Sequence, residues 1–231
     1  MLEALREQVC AANRQLVTSG LVTLTWGNVS GIDREEGLVV IKPSGVPYEV
    51  LQPSQLVVVD LEGKVVAGDL KPSTDTATHV ALYRAFPAIG GITHTHSRYA
   101  TVFAQARREI PCLGTTHADH FYGSVPVTRV LTAAEVADDY EGNTGKVIVE
   151  RFQSLEPAAM PAVLVAGHAP FAWGKHALDS IQNAIALEAV AEMALWTMQS
   201  RSDAPVLENY VLEKHYQRKH GPSAYYGQKH S

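Results

Sequence analysis

The sequence predicts a mixed α/β fold with central strands sandwiched between helices, and three observations predict it. Short β-branched runs recur between clusters of Gly, Pro, Asp and Ser, the pattern of strands joined by turns. Several segments instead carry apolar residues at three- and four-residue steps, the helical period. At 231 residues and 46% hydrophobic content, the chain can bury one sizeable core without a second domain.

In order along the chain, Leu2, Leu5, Val9, Ala12 and Leu16 mark an amphipathic helix over residues 2–19 that Gly20 stops. Strands are expected at 21–26, 38–42 and 56–61, and Glu62-Gly63 turns the last of these into a hairpin through Lys64-Val65-Val66. The period changes after Pro72 to a helix over 76–86, capped by Ser73-Thr74-Asp75. A strand over 91–96 and a helix over 97–106 follow, ended by Pro111. The Gly/Thr/His-rich stretch 114–123 has no clear period and reads as loop with a short helical turn. Further strands are expected at 146–151, 162–166 and 171–173. A long helix over 176–199 with an apolar face through Ile181, Ile185 and Met193, and a last helix over 204–219, complete the chain.

Composition excludes several classes of partner. A net charge of -5 gives no electrostatic reason to bind nucleic acid or anionic membrane. No apolar run approaches the roughly 20 residues that span a bilayer, and the first residues lack the apolar stretch of a signal peptide, so a cytoplasmic protein is expected. Cys10 and Cys112 are far apart and outside any CxxC spacing, which reads as two reduced, buried thiols.

Two histidines two residues apart in a strand face the same side, so His94 and His96 are candidates to present two imidazoles to one metal ion. His168, ending another apolar strand in a Gly-His-Ala-Pro turn, is a candidate third ligand, with a satisfied strand-end histidine as the competing reading. Three neutral imidazoles would leave a coordination position open for substrate. His117 and His120 form a weaker rival pair. Lys42-Pro43-Ser44-Gly45 follows a strand and joins a cation, a hydroxyl and exposed backbone N–H groups. Ser73 and Thr74 stand at a helix N-terminus, where the unpaired N–H groups and helix dipole favour a dianion. Each segment alone has the competing reading of an ordinary turn or cap. Together, with Asn28 as a further donor, they read as a phosphate site in two halves.

The chain resembles the metal-dependent class II aldolase family, and within it the branch of ribulose-phosphate 4-epimerases. The resemblance spans almost the whole chain. It rests on Thr25-Trp26-Gly27-Asn28-Val29-Ser30, Lys42 to Gly45, Pro72 to Asp75, Thr93-His94-Thr95-His96-Ser97 and Gly114-Thr115-Thr116-His117-Ala118-Asp119. It continues through His168-Ala169-Pro170-Phe171-Ala172-Trp173-Gly174, Lys214-His215-Tyr216, Arg218-Lys219-His220-Gly221 and Ala224-Tyr225-Tyr226-Gly227-Gln228. The chain departs from the family pattern at Thr74 for serine, which keeps the hydroxyl, at His120 for tyrosine, which bears on the loop around Asp119, and at Ala166-Gly167 before His168, where the family is variable.

The resemblance implies a class II aldolase-like α/β/α fold, with a mainly antiparallel central sheet flanked by helices on both faces, in one domain over 1–231 whose tail from about 221 closes the active site. It implies Zn2+, one per subunit, on His94, His96 and His168 with Asp75 as a further ligand, though cobalt, nickel or manganese suit such donors too. Phosphate would be bound by Asn28, Lys42, Ser44, Gly45, Ser73 and Thr74. Asp119 and Tyr226 would act as proton donor and acceptor reaching in from a neighbouring subunit of a homo-oligomer, a four-fold tetramer by that resemblance, with Thr116, Glu141, His215 and Arg218 in support. The implied reaction converts L-ribulose 5-phosphate to D-xylulose 5-phosphate. Because the hydrogen on carbon 4 is not adjacent to the carbonyl, inversion there requires cleavage of the bond between carbons 3 and 4, a turn of the aldehyde and re-addition. Related aldolases carry glutamate where this chain has Asp75, which favours the epimerase. An aldolase acting on a related ketose phosphate and, further off, a non-catalytic domain like the adducin head are the alternatives.

Overall fold

The computed structural model describes residues 1–226. Its centre is a seven-stranded sheet in which every neighbouring pair runs antiparallel, in the order β4-β3-β2-β1-β5-β7-β6. The strands are β1 (Gly27–Asp33), β2 (Leu38–Ile41), β3 (Val57–Asp60), β4 (Val65–Ala67), β5 (Gly91–Thr95), β6 (Ala162–Leu164) and β7 (Pro170–Gly174). The helices are α1 (Glu3–Thr18), α2 (Thr76–Ala85), α3 (Arg98–Gln105), α4 (Thr115–Ala118), α5 (Ala133–Arg151), α6 (Ala177–Ser200) and α7 (Asn209–His220). This is the α/β/α arrangement expected.

Alternation along the strands divides the core into two layers. One face of β1 meets α1: a side chain on Gly31 would run into Leu5 and Val9. Thr93, directly across from Val29, hydrogen-bonds Ser180 of α6 at 2.7 Å on that same face. The opposite face carries Ser30, His94, Phe171 and Trp173. There Ser30 Oγ sits 2.7 Å from His79 Nδ1 and 2.8 Å from the Tyr83 hydroxyl, both on α2. Trp173 packs between Phe86 and Phe152, at ring separations of 5.4 and 5.0 Å, and its indole N–H donates to Pro157 O. The C-terminus of α2 is held by Arg34, whose guanidinium donates to the carbonyls of Tyr83, Phe86 and Ile89, satisfying acceptors that a helix end leaves free.

Four sequence expectations are corrected. Residues 21–26 are not a strand: Leu24 is left-handed (φ 53°) and 75% exposed, and Trp26 N closes a turn onto Thr23 O. Pairing begins only at Gly27 opposite Thr95, so the β-branched run has no strand partner to offset its entropy. Residues 146–151 are the last turns of α5, not a strand, because Val147 and Ile148 bury inside a helix already under way upstream of them. The core face of α6 runs through Ile181, Ala184, Leu187, Val190, Ala191 and Ala194, whereas Ile185 and Met193 face outward. The last helix begins at Asn209, after an extended segment from Ala204.

Candidate active site

The register of the sheet assembles the first part of the site. Asn28, His94 and Phe171 stand directly across from one another on β1, β5 and β7. His94 stacks on Phe171 at 4.2 Å between ring centres. His96 follows on the same face of the chain, and the turn between β6 and β7, closed by His168 N to Val165 O, brings in His168. The three rings form a near-regular triangle with centres 5.1, 5.0 and 5.0 Å apart, and one ligand nitrogen from each lies within 4.8 Å of the others.

The residues fit a divalent ion. His94 Nδ1 donates to Pro170 O at 2.9 Å, which fixes the tautomer and leaves Nε2 as a lone pair. His168 Nδ1 is buried with no hydrogen-bond partner among the described residues, a condition that a ligand would relieve. Burial, followed by the charges of His94 and His96, pushes the His168 imidazole down to about 4, so it is neutral, as ligation requires. Asp75 lines the same cavity, but its Oδ2 accepts from Asn28 Nδ2 at 2.6 Å and from Ser73 Oγ at 3.3 Å. Burial alone would raise its carboxyl. The neighbouring His94 and His79, the Asn28 hydrogen bond and His168 outweigh that and hold it below its ordinary value.

The second part is built from two loops stitched together. Pro43 bridges to Pro72, Ser44 N donates to Lys71 O, and Ser73 N donates to Lys42 O, the two hydrogen bonds at 3.0 Å each. The pairing sets Lys42, Ser44, Gly45, Ser73 and Thr74 along one wall. Lys42 is only 2% exposed, its ammonium 4.8 Å above the Tyr48 ring, with no carboxylate partner among the described residues. Burial lowers it to about 8. A buried cation left without a counter-ion calls for an anionic ligand. Both parts open into one cavity of about 520 Å³, also lined by Trp26, Tyr140 and Glu141.

A profile of the Class II Aldolase and Adducin N-terminal domain family matches residues 7–195. The chain belongs to that family. This class II aldolase chain is 55% identical over 229 residues, 99% of its length and 100% of the relative's, to the L-ribulose-5-phosphate 4-epimerase UlaF of Salmonella paratyphi C (strain RKS4594). It is 54% identical over 228 residues to the protein of that name from Salmonella typhi, again covering 99% of this chain and 100% of the relative. Among solved structures, an L-fuculose 1-phosphate aldolase superposes with a TM-score of 0.79 at 26% identity, over 93% of this chain and 95% of that one. The L-fuculose-1-phosphate aldolase of Thermus thermophilus, at 24% identity and a TM-score of 0.67 over 88% of this chain and 98% of its own, has the same fold.

Not every candidate of the class II aldolase chain lies in the cavity. Asp119, at the end of α4, is held by α7: Arg218 donates from Nε and Nη2 at 3.0 and 2.6 Å, His215 Nδ1 lies at 3.1 Å, and Lys219 Nζ at 3.7 Å. Burial would raise the Asp119 carboxyl, but the hydrogen bonds from Arg218 and His215 and the charges of Lys219 and Arg218 together bring it below its ordinary value. Tyr226 stacks over Arg218 and Lys219, 5.0 and 4.5 Å from the cations. Asp119, His215, Arg218 and Tyr226 therefore form a second cluster, and none of them lines the histidine cavity of the same chain. Thr116 opens onto a separate 250 Å³ cavity with Leu113, Val190 and Met193. Of the rival histidines, His117 is buried with Nε2 donating to Gly123 O, a structural bond. Gly227, Gln228 and the rest of the tail to 231 lie outside the described residues. Sequence reading missed Tyr140 and Tyr48. The Thr132-x-x-Glu135 capping box, with Thr132 Oγ1 accepting from Glu135 N and Glu135 accepting from Thr132 N, marked the start of α5, whose second half, beyond Asp139, carries Tyr140.

Proposed function

We propose that the chain is a metal-dependent epimerase that interconverts L-ribulose 5-phosphate and D-xylulose 5-phosphate in the cytoplasm. The observation that carries this reading is the single cavity in which paired loops and a buried lysine, without a carboxylate partner among the described residues, face a triangle of histidines. It suits a ligand with a dianion at one end and chelating oxygens at the other. The near-full-length identity to L-ribulose-5-phosphate 4-epimerases supports the choice of substrate.

His94, His96 and His168, with Asp75, would hold the ion, and Zn2+ suits imidazole donors. When bound, it supplies Lewis-acid stabilisation of the negative charge that builds on the ketose oxygens. The remaining work falls to the chain. Lys42, Ser44, Gly45, Ser73, Thr74 and Asn28 grip the phosphate, so the glycolaldehyde phosphate released when the bond between carbons 3 and 4 breaks stays in place while its aldehyde turns. A proton leaves the carbon 4 hydroxyl on one face and returns on the other, which requires one proton carrier on each side.

Asp119 and Tyr226 are assigned these two roles, acting in the site of a neighbouring copy. Their position in a second cluster, outside the histidine cavity of their own chain, supports a homo-oligomer with shared sites, a four-fold tetramer in this reading. His215 and Arg218 hold Asp119 ionised, Glu141 and Thr116 support, and residues 1–231 form one domain whose tail closes the partner's site. Coupled formation of D-xylulose 5-phosphate from L-ribulose 5-phosphate tests the reading. Activity should disappear on chelation and return with zinc, and activity indifferent to chelation would sink it.

A further inference from the structure

Helix α5 is interrupted just where it reaches the cavity. Asp139 leaves helical geometry (φ −154°, ψ 88°), and its Oδ1 accepts from Gly142 N at 3.1 Å, so it caps a helix that starts afresh. The restart is sterically exacting: a Cβ on Gly142 would collide with the Asp139 carboxylate. Asn143 Nδ2 donates back to Glu135 O, tying the two halves of α5 together. Thr78 on α2 donates to Glu141 O at 2.6 Å, and Thr144 Oγ1 donates to Tyr140 O at 2.8 Å. The first residues of the restarted helix are thereby clamped to α2, whose N-terminus carries Asp75.

The result is that Tyr140 lines the cavity with its ring 6.1 Å from that of His168. It is 37% exposed, and no described side chain hydrogen-bonds its hydroxyl. Burial, then the charges of Glu141 and Asp75, raise this phenol, so it is a neutral donor at physiological pH. A clamped tyrosine with an unused hydroxyl, beside His168 in the cavity shared with the paired loops, is placed to meet the end of a ligand that reaches the histidines, which in the proposed reading is the unphosphorylated end.

We infer that Tyr140 is a specificity-determining residue whose hydroxyl hydrogen-bonds the carbon 1 hydroxyl of the ketose phosphate, an inference that rests on the proposed epimerase reading. Such a contact, made equally in ground and transition states, contributes to KM rather than to kcat.

The test pairs a change in the protein with a change in the ligand. D-xylulose 5-phosphate and its 1-deoxy analogue are titrated calorimetrically into zinc-loaded wild type and Tyr140→Phe, alongside turnover of D-xylulose 5-phosphate and zinc content. Removing the phenol should weaken D-xylulose 5-phosphate about tenfold and raise its KM by a similar factor, with kcat and zinc content unchanged. The 1-deoxy analogue should bind wild type and variant within about twofold of each other. Equal weakening of both ligands, unchanged binding of both, or loss of zinc in the variant would overturn the inference while leaving the epimerase reading intact. Wild type that holds zinc yet fails to convert D-xylulose 5-phosphate would overturn that reading, and the inference with it.

Discussion

Asn28 Nδ2 lies 2.6 Å from Asp75 Oδ2 and 3.0 Å from Ser73 Oγ, so one amide ties the carboxylate beside the histidines to a hydroxyl of the paired loops. Its own Oδ1 is buried without a partner among the described residues. Asn28→Ala should release Asp75 and lower kcat/KM by about 10- to 100-fold, with stability reduced by only about 1 kcal/mol. Steady-state kinetics and a urea titration check both numbers. A variant with wild-type kinetics would show that the link is incidental.

Lys42 sets function against stability. Its folded-state value of about 8 is depressed by burial from the usual 10.5, so the unfolded chain binds that proton more readily. Stability from this group is therefore lost as pH falls from about 10.5 to 8, on the order of 3 kcal/mol before any discount for bound water. Lys42→Met should melt higher than wild type at pH 7 without ligand, yet bind inorganic phosphate at least tenfold more weakly. Wild-type affinity for phosphate should decline as pH rises through about 8. A lower melting temperature in the methionine variant would contradict the assignment.

The separation of the two side-chain clusters makes a complementation prediction. Asp119→Asn should retain metal but lose most activity, while His96→Asn should lose metal and activity. Refolded together, the two inactive chains should regain a measurable fraction of wild-type rate, because some shared sites would draw an intact half from each. Mixed oligomers that stay dead would place both halves in one chain's own site.

Two buried histidines predict acid lability. His79, fully buried beside Ser30, is held down to about 3, and His117 to about 4, in both cases by burial. Their folded values lie below the 6.5 of the unfolded chain, so unfolding takes up protons once pH drops under 6.5. Stability should fall between pH 6.5 and 4, by up to about 2.7 kcal/mol per pH unit where both contribute fully. Urea midpoints at pH 7 and pH 5 measure it. His117→Gln, which keeps a donor for Gly123 O, should flatten the profile, and a wild-type midpoint that does not move would refute the account.

The parts legible in the sequence were those whose chemistry is local. The helix after Pro72, the β3–β4 hairpin and the His94-Thr95-His96 strand announce themselves through turn residues and period, and the ordered motifs carried the family. What escaped depended on partners distant in sequence. Leu21 to Trp26 has strand-like composition but finds no strand opposite it, while the polar run Gly27-Asn28-Val29-Ser30 becomes part of the central strand of the sheet because Ile92 to Thr95 pairs with it. The end of α5 imitated a strand because two of its buried residues are β-branched, and Tyr140 was lost with it. The stacking of Tyr226 on the cations of α7 likewise depends on tertiary placement that no spacing encodes.

The loops around Lys42 and Ser73 complete each other's backbone hydrogen bonds, so neither is a binding surface until β2 and the start of α2 have docked. The cavity wall that these loops form is thus a product of long-range assembly rather than of a local turn. The reverse coupling follows by mass action: a ligand that fills the cradle holds those two elements together, and at a hundred times its Kd it adds about 2.7 kcal/mol against unfolding. Chains with ligand bound should outlast empty ones under proteolysis, which ties the lifetime of the protein to the supply of the molecule it holds.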